Sequence, residues 1–170
     1  MHHNSVHYQY KIILIIAYLY KNKVFYLPTF ADFRGRVYPL CSTLSYQGND
    51  LARALLGFYN PKGKYDALSD EGLNYVYHYA ANVAGHDKLT RKERVILGQE
   101  LTTSLGDIFS VDNDNTRKNV REMLNNYNEP FQFLNTTFTH IRAVSDKAAG
   151  VKTYTNQAIL FDATCNGTQH

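Results

Sequence analysis

The residue types best suited to chemistry lie between Ala31 and Asp50, in the run ADFRGRVYPLCSTLSYQGND. Arg34 and Arg36 flank Gly35, Asp32 lies four residues before Arg36, and aromatic residues are interleaved with these charges. The arginine guanidinium is a rigid fork of donors that matches the oxygens of a phosphate group. Glycine lets the main chain approach a ligand closely. The pattern therefore suits a grip on a phosphate backbone, with Asp32 pairing with one arginine and fixing its direction.

The same residues also fit a plainer interpretation, which is a tight turn carrying a surface ion pair. Short motifs of arginine and glycine match by chance in many proteins. Composition alone favours the turn, and the two interpretations stay open until other parts of the chain are considered.

A second candidate site lies in the run FDATCNGTQH, which spans Phe161–His170. Apolar residues precede Asp162, and small polar residues follow it. A carboxylate at the end of a strand can bind Mg²⁺, which prefers one or two carboxylates together with waters and substrate phosphates. An aspartate after a strand is also a common turn or cap residue, so Asp162 alone does not define a metal site.

Composition limits the classes of protein to which the chain can belong. Of its 170 residues, 44% are hydrophobic and 19% are charged, as in a globular domain rather than a disordered segment. The net charge of +3 is compatible with nucleic acid without proving it. The two cysteines, Cys41 and Cys165, form no framework of disulfides, which favours a reduced compartment.

Local signals predict a mainly helical chain with a few strands, organised as one domain over residues 1–170. The predicted helices cover residues 6–22, 51–58, 70–84, 90–105 and 116–126, with a last helix from Pro130 to about residue 144. Strands are predicted at Val24–Leu27 and Val151–Asp162, and the run from Ala31 to Asp50 is placed mainly in a loop.

The first of these helices contains the apolar stretch Ile12–Tyr20, flanked by Lys11 and Lys21. This stretch is too short to cross a bilayer. It predicts a buried helix, with Tyr10, Ile13, Ala17 and Tyr20 on one stripe, and no membrane partner is expected.

Taken together, the blocks of sequence resemble the single-subunit, phage-type RNA polymerases of phages, mitochondria, chloroplasts and linear mitochondrial plasmids. The resemblance begins at Val24 and covers nearly the whole remaining chain. It is strongest in DFRGRVYP and YQGNDLARALL, and it continues through HYAANVAGHDKLTRKERV, EPFQFL and FDATCNGTQH. Five blocks in the family's order are far more specific than any one of them.

The resemblance implies an α+β fold, mainly helical, that forms part of the palm and adjacent helices of a right-hand polymerase. Asp32, Gly35 and Arg36 match the family's D-x-x-G-R element, which implies contact with the RNA–DNA hybrid and the template strand. Arg36, oriented by Asp32, is expected to hold the hybrid, and Arg34 is a second candidate for a backbone contact. The implied partners are a DNA template, an RNA transcript and ribonucleoside triphosphates.

The resemblance also implies that Asp162 is the first catalytic aspartate and a ligand of Mg²⁺. The main-chain carbonyl of Ala163 is a further candidate ligand, although Ala163 and Thr164 depart from the commoner Gly-Ser. The small polar run after them is implied to face nucleic acid; its matching residues are Asn166, Gly167, Gln169 and His170.

Two-metal chemistry needs a second carboxylate, which this family supplies in a His-Asp motif downstream of the first aspartate. The only His-Asp pair here, His86-Asp87, is followed by Lys88 and lies between predicted helices. The expectation from sequence is therefore a polymerase segment that does not synthesise RNA as an isolated chain.

The residues Tyr, Asn, Ile and Lys are frequent, and their codons are rich in A and T, which indicates an AT-rich genome. Together with the resemblance, this favours a mitochondrial protein encoded by an organelle or a plasmid.

Three alternatives remain at this stage. A truncated relic would bind nucleic acid weakly or not at all and would have no second metal carboxylate. A helical interaction module would leave the ordered blocks unexplained. A DNA polymerase of the right-hand class would share the palm aspartate, but the residues after Asp162 resemble the RNA polymerase version.

The basic cluster formed by Lys88, Arg91, Lys92 and Arg94 fits either a solvated helix face or a phosphate contact.

Overall fold

Six helices and one small antiparallel sheet make up the part of the chain that the structure describes. The computed structural model describes residues 2–60, 66–109 and 114–160. The mainly helical class predicted from the sequence is confirmed, with a sheet of only two strands. In chain order the elements are α1 (His2–Tyr20), β1 (Thr29–Ala31), β2 (Val37–Pro39), α2 (Asp50–Leu55), α3 (Asp70–Ala84), α4 (Arg91–Phe109), α5 (Asp114–Leu124) and α6 (Pro130–Ala148).

The helix boundaries with strong local signals are confirmed. Ser69 caps α3 by accepting a hydrogen bond from the Gly72 amide at 3.0 Å. Gly85 ends that helix with a left-handed φ of 104°. The Thr90–Glu93 capping box begins α4, because the Glu93 carboxylate accepts from the Thr90 amide at 2.9 Å. Pro130 occupies the first turn of α6, where its missing N–H costs nothing.

The prediction that α4 ends at Leu105 is wrong, because the helix continues to Phe109. Gly106 lies inside it, packed so closely on α6 that an added Cβ would stand 3.3 Å from Ile141 Cγ1. Continuing the helix also brings Ile108 and Phe109 onto the main core cluster. Tertiary packing therefore overrides the local stop signal of the glycine.

Three other helix boundaries shift by a few residues. α2 ends at Leu55 because Leu56 is extended, with ψ 132°, and leads into the Gly57–Gln157 bridge. α5 begins and ends two residues earlier than predicted. α6 continues past its predicted end near residue 144 and ends at Ala148.

The prediction of a buried first helix is only partly confirmed. Ile13 of α1 is fully buried, and Tyr10 and Ile16 pack beside it on the second core cluster. The rest of the helix is largely exposed, and Tyr20 on the predicted stripe is 47% exposed. In the described part of the chain, α2, nearby loops and Phe131 of α6 cover α1. None of the helices described here has the length and apolar character needed to cross a membrane.

The core consists of two apolar clusters that meet along α6. The first lies between α3, α4 and α6 and has Val83, Leu105 and Phe133 at its centre. The second joins α1, α2 and the loop before α2, and Phe131 packs against it. Since Phe131 and Phe133 lie two residues apart on α6 and pack in different clusters, this helix connects the two halves of the core.

A polar junction fixes the start of α6 against α2. The Asp50 carboxylate accepts hydrogen bonds from the amides of Phe131 at 2.6 Å and Gln132 at 3.0 Å. Burial raises the pKa of Asp50, although these two amides oppose the shift. Arg53 pairs with Glu129 at 2.6 Å beside it. A side chain from another helix thus satisfies the first amides of α6, in place of a local cap.

The prediction of a strand at Val24–Leu27 is wrong. The strand begins only after Pro28, at Thr29. The apolar side chains of Phe25 and Leu27 pack on the second core cluster, and Phe25 lies 5.3 Å from the ring of Tyr20. These residues are apolar because they cover α1, and their backbone pairs with no neighbouring strand in the described residues.

The predicted strand at Val151–Asp162 is also wrong as far as Leu160, beyond which the residues lie outside the described ranges. Its backbone makes single bonds to separate loops: Leu68 N donates to Thr153 O, and Phe58 N donates to Asn156 O, both at 2.9 Å. Only an isolated bridge joins Gln157 to Gly57. The segment is extended, but no neighbouring strand runs alongside it there.

Candidate nucleic-acid interface

The arginine-bearing motif forms a hairpin rather than the open loop predicted for it. β1 and β2 pair antiparallel, with Thr29 opposite Pro39, Phe30 opposite Tyr38, and Ala31 opposite Val37. The rings of Phe30 and Tyr38 lie 5.7 Å apart across the pair. The hairpin directs residues 32–36 outward as a short, closed turn.

Asp32 organises this turn through its own backbone and side chain. Its carbonyl accepts from the Gly35 amide at 2.9 Å, and its amide donates to the Arg36 carbonyl at 2.9 Å. Its Oδ1 atom accepts from the amides of Arg34 at 2.8 Å and Arg36 at 2.9 Å. Asp32 therefore takes part in four hydrogen bonds of the turn, two through its backbone and two through its side chain, and such side-chain bonds are how short polar residues stabilise turns.

Gly35 closes the turn because it adopts a φ of +77°. This left-handed conformation costs little for glycine and more for other residues. An added Cβ would meet no atom within 4 Å, so space is not the reason for the glycine. Because the Asp32 amide bonds to the Arg36 carbonyl, the loop between them consists of residues 33–35. The last residue of a three-residue hairpin loop is typically left-handed.

The side chains of the two arginines have different environments. Arg34 Nε lies 3.5 Å from Asp32 Oδ2, and its guanidinium lies 5.5 Å from the centre of the Phe33 ring. Asp32 contacts Arg36 through the main-chain amide, and Arg36 is exposed without an ion pair in the described residues. The expectation that Asp32 directs the Arg36 side chain is therefore replaced by a side-chain pairing with Arg34.

The base of the hairpin is tied to the rest of the molecule. Gln47 Nε2 donates to the Val37 carbonyl at 2.9 Å, and the Leu40 amide donates to the Pro28 carbonyl at 2.8 Å. Gln47 lies in the YQGNDLARALL block, so the two strongest blocks of the sequence are in direct contact. Sequence reasoning missed this role of Gln47, because no local pattern distinguishes it from an ordinary loop residue.

The second predicted site lies outside the described residues. It comprises Asp162, Ala163, Asn166, Gly167, Gln169 and His170, and their placement relative to the hairpin stays a prediction. The segment that leads to them is anchored on α6, since Gln157 Nε2 donates to Thr136 Oγ1 at 2.7 Å. Gln157 Oε1 also accepts from Thr139 at 2.7 Å. Among residues 2–60, 66–109 and 114–160, no group of three His, Cys, Asp or Glu side chains could hold a metal ion.

The basic cluster lies at and just before the start of α4. Arg91 stacks 4.8 Å from the centre of the Tyr75 ring, and Arg94 donates to Asn82 at 2.7 Å. Lys88 pairs with the neighbouring Asp87 at 3.2 Å, and its side chain is almost fully exposed. Arg91 and Arg94 thus hold α4 against α3, which supports a structural role for half of the cluster.

A rigid hairpin that presents two exposed arginines and an exposed aromatic ring is a surface suited to nucleic acid. Arg34 and Arg36 supply the donors for phosphate oxygens, and Phe33, which is 96% exposed, offers a face for stacking. On its fold and this surface, the chain is classed as a mainly helical protein with a hairpin whose exposed residues suit nucleic acid.

Comparison with known proteins identifies the family. Residues 66–170 match the family model described as DNA-dependent RNA polymerase, and this range is more than half of the chain. The chain belongs to the DNA-dependent RNA polymerase family, in its phage-type, single-subunit form. The resemblance found in the sequence is therefore confirmed.

Individual relatives extend the similarity to the hairpin, which lies before the matched range. The chain is 37% identical over 98% of its length to a probable DNA-directed RNA polymerase of Agaricus bitorquis, and spans 14% of that protein. It is 35% identical over 92% of its length to the mitochondrial DNA-directed RNA polymerase of Neurospora crassa, of which it spans 10%. The human mitochondrial enzyme is 32% identical over 92% of the chain, which spans 12% of it. The chain thus spans a small part of the length of these relatives.

Proposed function

We propose that this chain serves template-dependent RNA synthesis as part of the nucleic-acid cleft of a DNA-directed RNA polymerase. The hairpin carries the proposal, because its turn fixes the backbone of Arg34 and Arg36 while leaving both guanidinium groups exposed. Arg36 contacts the phosphate backbone of the RNA–DNA hybrid. Arg34, paired with Asp32, makes a second backbone contact, and Gly35 keeps the turn closed.

The position in the enzyme is the palm with its adjacent helices. α3, α4 and α6 pack together as a helical support, and the segment after α6 leads to Asp162. Asn166, Gly167 and His170 follow it and contact nucleic acid. The mitochondrial names of several relatives support a mitochondrial location, with the gene in the organelle or on a plasmid.

The donor set at the end of the chain fits Mg²⁺, because a carboxylate and a main-chain carbonyl are both oxygen ligands. Asp162 and the carbonyl of Ala163 would hold the ion. When bound, Mg²⁺ supplies Lewis-acid activation of a 3′-hydroxyl and stabilises the charge of the leaving pyrophosphate. The substrates are ribonucleoside triphosphates, and the arginine hairpin keeps the hybrid in register.

Replacing Asp162 tests the catalytic part of the proposal. In an active polymerase carrying this sequence, Asp162→Asn removes a ligand charge and is expected to abolish nucleotide incorporation on a primed template. Affinity for the primed hybrid is expected to stay within about twofold, since the hairpin is unchanged. Asp66→Asn, at an exposed position, is the matched control.

Full incorporation by the Asp162→Asn enzyme would refute the assignment of Asp162. Retained hybrid binding with no incorporation by the unmodified enzyme, under conditions where a relative is active, would favour the non-catalytic relic.

A further inference from the structure

A cleft of about 220 Å³ lies between the end of α2, the middle of α6 and residues 154–157. Backbone and side-chain hydrogen bonds hold its walls together. The Gly57–Gln157 bridge and the bond from Phe58 N to Asn156 O join two walls. Asn135 Nδ2 donates to the Ala54 carbonyl at 3.1 Å and fixes α6 to α2. The cleft is therefore a built feature of the fold.

One charged side chain lines the described part of this cleft, and it is Arg142. In the ranges that the structure describes, its guanidinium has no hydrogen-bond or ion-pair partner, and the residue is exposed. No carboxylate is present among the lining residues described. Neutral polar side chains also line the cleft, including those of Thr155 and Asn156. An unpaired guanidinium with neutral donors and no competing acid is suited to a phosphate group.

Two aromatic side chains add a second kind of contact. Phe138 is 50% exposed and Tyr154 is 47% exposed, and both line the cleft. Phe138 is held in place by the ring of Phe109, whose centre lies 5.4 Å away. Phe138 and Arg142 are four residues apart on α6, so they share one face of the helix. A cation beside exposed rings is the combination that binds single-stranded nucleic acid, since every base has a face that stacks.

We infer that this cleft binds one or two nucleotides of single-stranded nucleic acid, with a phosphate on Arg142 and a base stacked on Phe138. The inference rests on the proposed function in one respect, which is that the chain works on nucleic acid. It adds a second contact region whose residues are separate from the hairpin and from the stretch at Asp162.

The test measures binding of a short fluorescein-labelled oligouridylate to the full chain by anisotropy at several NaCl concentrations. Arg142→Ala is expected to weaken binding at least about fivefold and to lower the salt slope by about 0.7, the value of one phosphate contact on a single strand. Phe138→Leu keeps an apolar side chain against Phe109 but removes the stacking face. It is expected to weaken binding about fivefold without changing the slope.

Arg121→Ala, at an exposed position on α5, is the matched control and is expected to leave both quantities unchanged. Circular dichroism establishes that each variant keeps its helix content. Equal affinity of Arg142→Ala and Arg121→Ala would overturn the inference. If Arg142→Ala weakens oligouridylate binding and Phe138→Leu does not, the cleft binds phosphate without stacking a base. That result would also overturn the inference.

The same variants separate this inference from the proposed function. The hairpin is tested by binding of an RNA–DNA hybrid to Arg36→Ala. If Arg142→Ala loses oligouridylate binding while Arg36→Ala binds the hybrid normally, the cleft binds nucleic acid and the role proposed for the hairpin is wrong. If Arg36→Ala loses hybrid binding while Arg142→Ala binds the oligouridylate normally, only the inference about the cleft is wrong.

Discussion

At the scale of single residues, Asp32 and Gly35 have complementary roles in the hairpin. Asp32 supplies the bonds that hold the turn, and Gly35 supplies the left-handed backbone that the turn needs. Their joint effect is to fix the backbone of both arginines before any ligand arrives. Preorganised contacts lose less entropy on binding than flexible ones do.

Gly35→Ala tests this role of the backbone. A left-handed alanine costs about 1–2 kcal/mol, so hydrogen exchange of the Arg36 amide is expected to accelerate about tenfold in the variant. Gly35→Asn is the control, because asparagine tolerates this conformation better than alanine does. Exchange at the wild-type rate in both variants would show that the turn does not depend on Gly35.

His140 connects three helices and makes stability depend on pH. Its Nδ1 atom lies 2.9 Å from the Tyr77 hydroxyl on α3, and Nε2 lies 3.4 Å from Thr103 on α4. Burial lowers the pKa of His140 below its usual 6.5, and Asp107 partly opposes the shift. The unfolded chain therefore binds more protons than the folded chain below about pH 6.5. The stability contributed by neutral His140 is lost as pH falls from there through its folded-state pKa.

His140→Gln is expected to flatten this pH dependence. Unfolding in urea at pH 7.5 and pH 5.5 gives the change in free energy for the wild type and the variant, and the wild type is expected to lose more on acidification. His86→Gln, at an exposed position, is the control and is expected to behave like the wild type. An equal loss in His140→Gln and the wild type would contradict the role assigned to His140.

At the scale of elements, the close contact of α3 and α4 depends on Gly98. An added Cβ there would lie 1.9 Å from the Tyr77 carbonyl oxygen, which is closer than any real contact. The two helices approach this closely only because the position has no side chain. Their contact supports both the core cluster and the cation–π pair of Arg91 with Tyr75.

Gly98→Ala is expected to destabilise the chain by about 1–3 kcal/mol, the usual cost of overpacking a core. Gly106→Ala, on the same helix, is the matched control. An added Cβ there would stand 3.3 Å from a side-chain atom of Ile141, which can move slightly. Alanine has a better helix propensity than glycine, and this offsets part of the cost of the close contact at position 106. Thermal unfolding measures the stability of both variants. Equal melting temperatures would contradict the claim that the close contact of α3 and α4 depends on Gly98.

The elements also show what sequence could and could not predict. Ser69, Gly85, Glu93 and Pro130 act on backbone groups within a few residues, so the helix ends they mark were found correctly. Gly106 and residues 151–160 depend on partners far along the chain. The apolar residues at Val24–Leu27 were assigned to a strand because apolarity alone does not tell strand pairing from helix packing.

The candidate sites were likewise only partly predictable from the sequence. The residue types at 32–36 indicated a possible phosphate contact, but the resemblance of the ordered blocks was needed to favour it over a plain turn. The pairing of Asp32 with Arg34 rather than Arg36 depends on turn geometry that spacing does not give. The cleft at Arg142 was not found at all, because its walls come from three segments far apart in sequence.

At the scale of the whole molecule, a helical support connects the hairpin with the segment before Asp162. Asp50 lies just after the YQGN block and caps α6, while Gln157 anchors the later segment on the same helix. α6 thus contacts the YQGNDLARALL block at Asp50 and the extended segment before Asp162 at Gln157. This arrangement accounts for why the blocks of the sequence that resemble the family lie on different elements.

The central claim is that Arg36 holds a nucleic-acid backbone, and salt-dependent binding tests it most directly. Affinity of the chain for a primed RNA–DNA hybrid is measured at several salt concentrations for the wild type, Arg36→Ala and the control Arg121→Ala. Loss of one phosphate contact is expected to weaken binding and to lower the salt slope by about one in Arg36→Ala alone. An unchanged affinity and slope in Arg36→Ala would contradict the claim.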